Sequence, residues 1–244
     1  MIHAKPYAKL SDIYDKLMSH VDYKQWSEYV INLFQYANRD ISRVADISMG
    51  TGNLIEYLTR YGYKCNGSDL SFPMVSQAKI NEIRSNESLI VSDATQLAYN
   101  SSKFDAVLFL YDSINYLLEF ELLEELFAEV YRVLNNGGVF IFDIITDFLC
   151  KTYYNNFNEK ENWGDLGYTR HSFYNQDEKI QYNDFHIRIK DKIFFERHNQ
   201  RVFAENDLKR IINNHNFNLM ARLDDFTFIT ASKNSERIHY VCIK

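Results

Sequence analysis

Ala45-Asp46-Ile47-Ser48-Met49-Gly50-Thr51-Gly52-Asn53 reads as a strand that ends in a glycine-pinned turn and runs into a helix. A backbone that must pass close to a ligand needs glycine, because a side chain would occupy the ligand's space. The helix that follows leaves unpaired N–H groups at the turn, which suit a polar or anionic group. A dinucleotide fingerprint, G-x-G-x-x-G, has a third glycine that permits tight helix–strand packing. Here the glycines are Gly50 and Gly52, and the third position is Ile55. A Walker-type phosphate loop fits less well, since no Gly-Lys-Ser/Thr follows.

Working outward, strands alternate with helices. Val44–Ile47 is the first strand, and Asn53–Tyr61 a helix. Lys64–Ser68 is a short strand ending at Asp69, followed by a helix over 71–84 with Pro73 in its first turn. Leu89–Val91 and Phe104–Leu110 are the third and fourth strands. An amphipathic helix, Glu121–Leu134, is closed by Asn135-Asn136-Gly137-Gly138, and Val139–Ile144 is the fifth strand. Strands apolar on both faces imply a parallel sheet covered on both sides. Ligands in such folds sit at the carboxyl ends of the strands. Asp46, Asp69, Asp93 and Asp112 all fall at or just past those ends.

Residues 1–38 read as a helical cap, with Ser11 and Asp12 capping a short helix and a second helix over Tyr23–Tyr36. From 151 to 203 no helical period is visible. Tyr168–Tyr174, Lys179–Lys190 and Lys192–Phe203 read as an antiparallel β-meander, with a bulge at Asn183-Asp184 where the apolar alternation changes phase. Glu205–His215 is a helix, and Phe217–Phe228 and Arg237–Ile243 are the last strands. The expected architecture is α/β: a Rossmann-like, seven-stranded, mostly parallel sheet with helices on both faces. Residues 39–150 and 204–244 form its core, 1–38 the cap and 151–203 an inserted lid.

Composition narrows the function. The 244 residues suffice for one large domain with an insertion. A net charge of −6, with no basic run of five, argues against a nucleic-acid backbone as partner. Cys65, Cys150 and Cys242 are too few and too scattered for a disulfide framework or a metal site. No apolar run approaches 18 residues, and the N-terminus has no apolar signal region, so a cytoplasmic, membrane-free protein is expected.

The opening stretch resembles the Asp-Leu-x-Cys-Gly-Thr-Gly-Asn version of the first motif of class I S-adenosylmethionine (SAM) methyltransferases. Ser48 stands where that family usually has Gly or Ala. Asp69, 17 residues after Gly52, matches the family's ribose-binding acid, and a carboxylate can accept two neighbouring hydroxyls. Asp93 with Ala94 resembles the third motif, which contacts the adenine amine; Leu70 and Met74 are expected to clamp its faces. Ser48 and Gly50 would face the methionine end, with Asp46 ordering the turn and Gly52 and Asn53 completing it. Tyr7-Ala8, Ile13 to Met18, Val21-Asp22-Tyr23 and Trp26 resemble the N-terminal segment of a bacterial small-molecule subgroup that includes sugar N,N-dimethyltransferases of antibiotic pathways. Phe104 to Val107 and Tyr111 to Leu117 resemble its fourth motif. The resemblance spans nearly the whole chain and implies SAM as cofactor.

Methyl transfer from a sulfonium is an in-line displacement, so positioning in a water-poor pocket supplies much of the catalysis. A general base is needed only for a protonated nucleophile. Tyr111, Asp112 and Asn115, which follow the fourth strand, are the catalytic candidates, with Tyr111 also contacting the cofactor. Tyr7 and Tyr14 would close over it; Tyr7, Tyr116, His171 and His186 are assigned to the acceptor. One of His171, His186 and His198 could act as a base, but their spacing does not suit a metal. The acceptor is a small molecule or a modified peptide. With only Pro6 and Pro73, the chain lacks the Asn/Asp-Pro-Pro-aromatic motif of nucleic-acid amino methylation. The alternatives are a non-catalytic SAM- or nucleotide-binding module and an NAD-type dehydrogenase.

Overall fold

The computed structural model describes residues 1–83, 85 and 87–244. In chain order it contains β1 (Ile2–His3), a 3-10 turn (Leu10–Asp12), α1 (Tyr14–Leu17), α2 (Tyr23–Tyr36), β2 (Arg43–Asp46), α3 (Asn53–Arg60), β3 (Lys64–Asp69), α4 (Phe72–Ile80), β4 (Leu89–Val91) and β5 (Phe104–Phe109). A second 3-10 turn (Ser113–Tyr116) leads to α5 (Phe120–Val133), β6 (Leu134–Ile145), α6 (Asp147–Thr152), β7 (Phe157–Trp163), β8 (Leu166–Asn175), β9 (Ile180–Ile189), β10 (Lys192–Arg201), α7 (Glu205–Asn214), β11 (Asn218–Asp224) and β12 (Arg237–Ile243).

The main sheet has seven strands in the order β11-β12-β6-β5-β2-β3-β4, parallel except for β12, which pairs antiparallel with both neighbours. Alternate residues of each central strand feed two cores. Val107 and Phe109 of β5 and Phe140 and Phe142 of β6 pack with Leu126, Phe127, Leu208 and Ile211 from α5 and α7. Ala106, Leu108, Val139 and Ile141 pack on the other face with Val30, Leu33, Ile55, Leu58 and Val75 from α2, α3 and α4. Burial on both faces is why these strands read as unbroken apolar runs. After β4 the chain returns to the other side of β2, so the carboxyl ends of β2 and β5 flank the crevice where the strand order reverses.

A second sheet, β1-β10-β9-β8-β7, is antiparallel except at β1. Its β8–β9 and β9–β10 pairs run in continuous register, without the expected bulge at Asn183-Asp184. The phase change in the sequence has another cause. Gln181 and Asn183 take inward positions that usually hold apolar residues, because polar partners await them there. The Asn183 Oδ1 accepts from Ser172 Oγ at 2.6 Å and from Arg170 Nη2 at 2.8 Å, and its Nδ2 donates to Gln200 Oε1 at 3.1 Å.

Other local expectations are corrected. Ser11 and Asp12 lie in the 3-10 turn and cap nothing; α1 is a single turn without a side-chain cap. α4 ends at Ile80, and Arg84, the last residue of the expected 71–84 helix, lies outside the described residues. Asn135 to Gly138 do not form a separate stop but belong to β6, whose pairing with β5 shifts register there. β11 ends at Asp224, followed by a turn with Asp225 at φ +42°. α6 and the polar, largely exposed edge strand β7 were not legible in the sequence, since neither carries a clear apolar period.

Candidate active site

The carboxyl ends of β2 to β5 open into a cavity of about 650 Å³, in the range of small-molecule sites. Asp46, Ser48, Gly50, Asn53, Asp69, Leu70, Met74, Asp93, Ala94 and Tyr111 line it, with Tyr7, Tyr14 and Tyr116 across from the glycine turn. Gly52 is behind the wall: at φ +85° it starts α3, and its amide donates to Met49 O. Gly50 has φ +56°, and a Cβ placed on it would meet no protein atom nearer than 3.9 Å, so the space over it is free for a ligand. Ile55 occupies the third-glycine position because the facing strand makes room. A Cβ on Gly67 would fall 2.4 Å from the Ile55 Cδ1 and the Met49 Sδ.

Asp69 holds the turn from β3. One carboxylate oxygen accepts the Gly50 N–H at 2.9 Å and the other the Ser71 N–H at 2.8 Å. Burial raises its pKa, and these two donors oppose the rise. Each oxygen keeps a lone-pair site for a vicinal diol. Asp93 is exposed at the rim, with one oxygen taken by the Thr95 N–H and hydroxyl. Leu70 is 70% exposed and Met74 2%, so the pocket they border is open on one side and closed on the other. A glycine turn free of side chains, a diol-sized carboxylate and an apolar cleft fit the parts of SAM.

Ser48 is not a defect in the motif. Its hydroxyl accepts the Leu110 N–H at 3.1 Å, tying the end of β2 to the end of β5 across the crevice. Asp46 accepts the Ser48 N–H at 3.0 Å. Burial pushes its carboxyl up to about 7, against that donor's lowering effect. An Asp titrates near 4 in the unfolded chain. Because the folded value is higher, the folded state binds more protons between about pH 4 and 7, and the stability falls across that window as the pH rises. Asp46→Asn is therefore expected to raise the melting temperature of the ligand-free protein, more at pH 8 than at pH 5. An equal shift at both values would show that the carboxyl titrates normally.

Asp112 and Asn115 do not line the cavity, which corrects their assignment as catalytic candidates. Asn115 is fully buried as a brace, donating to Arg201 O at 2.7 Å and accepting the Ile145 N–H at 3.2 Å. Asp112 accepts from Arg237 Nη2 at 2.8 Å and from the Gln200 amide. Arg237 also bonds Asp143, which accepts the Asp112 N–H at 2.9 Å. Burial raises both carboxyls while Arg237 pulls them back. This cluster pins an unusual turn, with Tyr111 at φ +59° and Asp112 at φ +50°. Such backbone costs about 1–3 kcal/mol per residue and persists only when its surroundings hold it. The result is a Tyr111 ring stacked on Trp26 at 4.4 Å, on the cavity wall.

The three histidines of the second sheet divide by parity. The register places His171 and His186 on the outer face, against Asn156 and Phe195 and away from the cavity, which corrects their assignment to the acceptor. His198 points the other way, 1% exposed, with Nδ1 2.9 Å from the Tyr116 hydroxyl. Glu196, 0% exposed, accepts the backbone N–H groups of Tyr7, Lys9 and Leu10 and so anchors the N-terminal segment. Asp15 ties that segment to the glycine turn, accepting from Thr51 Oγ1 at 2.6 Å, Asn53 Nδ2 at 3.1 Å and Asn81 Nδ2 at 2.6 Å. His198, one of the three candidate bases, is the one that the register turns inward, whereas Asp15, Glu196 and Arg237 were not singled out in the sequence. Their partners lie up to 189 positions away in the chain, so no local spacing signals them.

The profile described as a methyltransferase domain matches residues 45–142. A SAM-dependent methyltransferase from Clostridium acetobutylicum superposes with a TM-score of 0.81 at 30% identity, covering 97% of this chain and 98% of its own. The Bacillus subtilis protein YqeM is 28% identical over 240 residues, 96% of this chain and 95% of its own length. The sugar N-methyltransferase KedS8 of Streptoalloteichus shares the fold at a TM-score of 0.76 and 17% identity, covering 94% of this chain and 91% of its own.

Proposed function

This chain belongs to the SAM-dependent methyltransferases, and from that premise we propose that it methylates a nitrogen or oxygen of a small molecule or modified peptide by in-line displacement. The observation that carries this reading is the far wall of the cavity. Tyr7, Tyr14 and Tyr116 stand there, Tyr111 completes the lining beside them, and burial raises the pKa of every one of these phenols, so they are neutral. SAM supplies an electrophilic methyl group on a sulfonium.

The residues do the rest. Asp69 binds the ribose, Asp93 and Ala94 the adenine edge, and Leu70 and Met74 its faces. Gly50 and Ser48 keep the methionine end close to the backbone. The tyrosine rings offer π faces to the sulfonium and exclude water, which favours a displacement that disperses charge. In this reading residues 1–38 are the cap, 151–203 the lid over the acceptor, and the remainder the cofactor-binding core. The sugar N-methyltransferase fold of KedS8 supports a small acceptor, as in natural-product tailoring.

The test is calorimetric titration with SAM and with NADH, followed by methyl-labelled SAM and a panel of small amines, alcohols and phenols. SAM is expected to bind, NADH not, and label to appear on at least one acceptor. SAM binding with no label transferred would favour a non-catalytic binding module.

A further inference from the structure

A continuous hydrogen-bonded chain runs from the cavity wall into the second sheet. The Tyr7 and Tyr116 hydroxyls are 2.7 Å apart, Tyr116 is 2.9 Å from His198 Nδ1, and His198 Nε2 is 3.1 Å from Glu196 Oε2. Its direction follows from its inner end. Glu196 accepts three backbone N–H groups and has no proton to offer as a carboxylate, so His198 Nε2 carries the hydrogen it shares with Glu196. His198 Nδ1 is then a lone pair, Tyr116 donates to it, and Tyr7 donates to Tyr116. The outermost unfilled acceptor is the Tyr7 oxygen, and Tyr7 lines the cavity.

Anchoring the N-terminal segment needs only Glu196 and the three amides. It does not need an imidazole and two phenols in series. We propose that Tyr7, Tyr116, His198 and Glu196 form a proton relay that serves the methyl acceptor, and that the acceptor atom is a hydroxyl oxygen. The proposal rests on the methyl-transfer reading above. As an oxygen lone pair forms the O–CH₃ bond, the C–S electron pair returns to sulfur. The hydroxyl proton passes to Tyr7, that of Tyr7 to Tyr116, and that of Tyr116 to His198 Nδ1. Both phenols end neutral. The positive charge lost at sulfur reappears as an imidazolium beside Glu196, and the proton returns by the same path once product has left.

The terminal base selects the acceptor. A methylated amine is basic enough to keep its own proton and needs no relay. An oxygen that has just gained a methyl group cannot keep its proton. The charged and titratable groups facing His198 are Glu196 on its own strand, Tyr7 from the N-terminal segment and Tyr116 from the turn after β5, while Asp112 and Arg170 of β8 act on Tyr116. The Phe185 ring, 5.1 Å away, shields it from the remaining side.

Two measurements on the full chain test this. The first needs no acceptor: ¹⁵N spectra of the imidazoles with S-adenosylhomocysteine added. The expected result is an Nε2–H tautomer at His198, with its Nδ1 signal displaced in Tyr116→Phe. An Nδ1–H tautomer would overturn the relay. The second uses methyl-labelled SAM with phenol, benzyl alcohol and benzylamine as probes. Label is expected on a hydroxyl probe. Tyr116→Phe and His198→Asn should each lower kcat roughly hundredfold, within the usual range for a lost general base. They should also abolish the rise of kcat with pH and leave SAM affinity within about twofold. Unchanged kcat in both variants, or label on benzylamine alone, would overturn the proposal. Failure to label any probe while SAM binds would instead count against the enzyme reading, and the imidazole spectrum would still decide the relay.

Discussion

Asp69→Ala is expected to weaken SAM binding by roughly 10²- to 10⁴-fold while the protein stays folded. Each Asp69 oxygen accepts one backbone N–H and has one further lone-pair site, so the pair of oxygens suits two neighbouring ribose hydroxyls. Hydrogen bonds to a charged group are each worth about 1.5–3 kcal/mol, and every 1.4 kcal/mol is tenfold in affinity. The substitution also frees the Gly50 N–H, so the turn loosens where the methionine end is proposed to bind. Stability should change little, because burial already disfavours the ionised carboxylate in the empty site. Calorimetry gives the affinity and thermal unfolding the control. Unchanged affinity would move the ribose site away from Asp69.

Arg237→Met should be the most destabilising change near the site. It leaves Asp143, fully buried, and Asp112, mostly buried, without their counter-charge. Removing one partner of a buried pair costs about 3–5 kcal/mol. Since Asp112 keeps some contact with solvent, about 3 kcal/mol is the better figure, or roughly 6–12 °C in melting temperature for a domain of this size. The effect has a sign in pH. Burial already raises both carboxyls above their unfolded value, and without Arg237 they rise further. The folded variant then holds protons that the unfolded chain has lost, so its stability falls as the pH climbs above about 4. Its deficit against wild type should be larger at pH 8 than at pH 5. A deficit independent of pH would mean that the carboxyls do not feel the arginine. Because the cluster also pins the Tyr111-Asp112 turn, SAM affinity should fall with it.

Some of this was written locally. The order of the strands, the glycine turn and the acids at strand ends were legible because each depends on a short window: apolar runs of four to eight residues, a turn that requires glycine, an Asp just past a strand. Hence Asp46, Asp69 and Asp93 were found, and the seven-stranded sheet with them. The meander was legible as strands but not in phase. Gln181 and Asn183 sit at inward positions and break the alternation that reveals a face. Asp112 illustrates the opposite error. Its place after the fourth strand suggested a catalytic acid, yet Arg237, 125 residues on, holds it in an ion pair outside the cavity lining.

The sequence by itself determined the fold class and the glycine-turn wall of the cavity, since both follow from the period of apolar residues and from glycines that a close backbone approach requires. The tertiary structure alone decided what lies across the cavity from that wall. Strand register is a long-range property in which a shift of one residue exchanges the two faces. That register sent His171 and His186 outward and His198 inward. There His198 meets a tyrosine from the 3-10 turn after β5 and a carboxylate two residues before it in the chain, and the three become one hydrogen-bonded path.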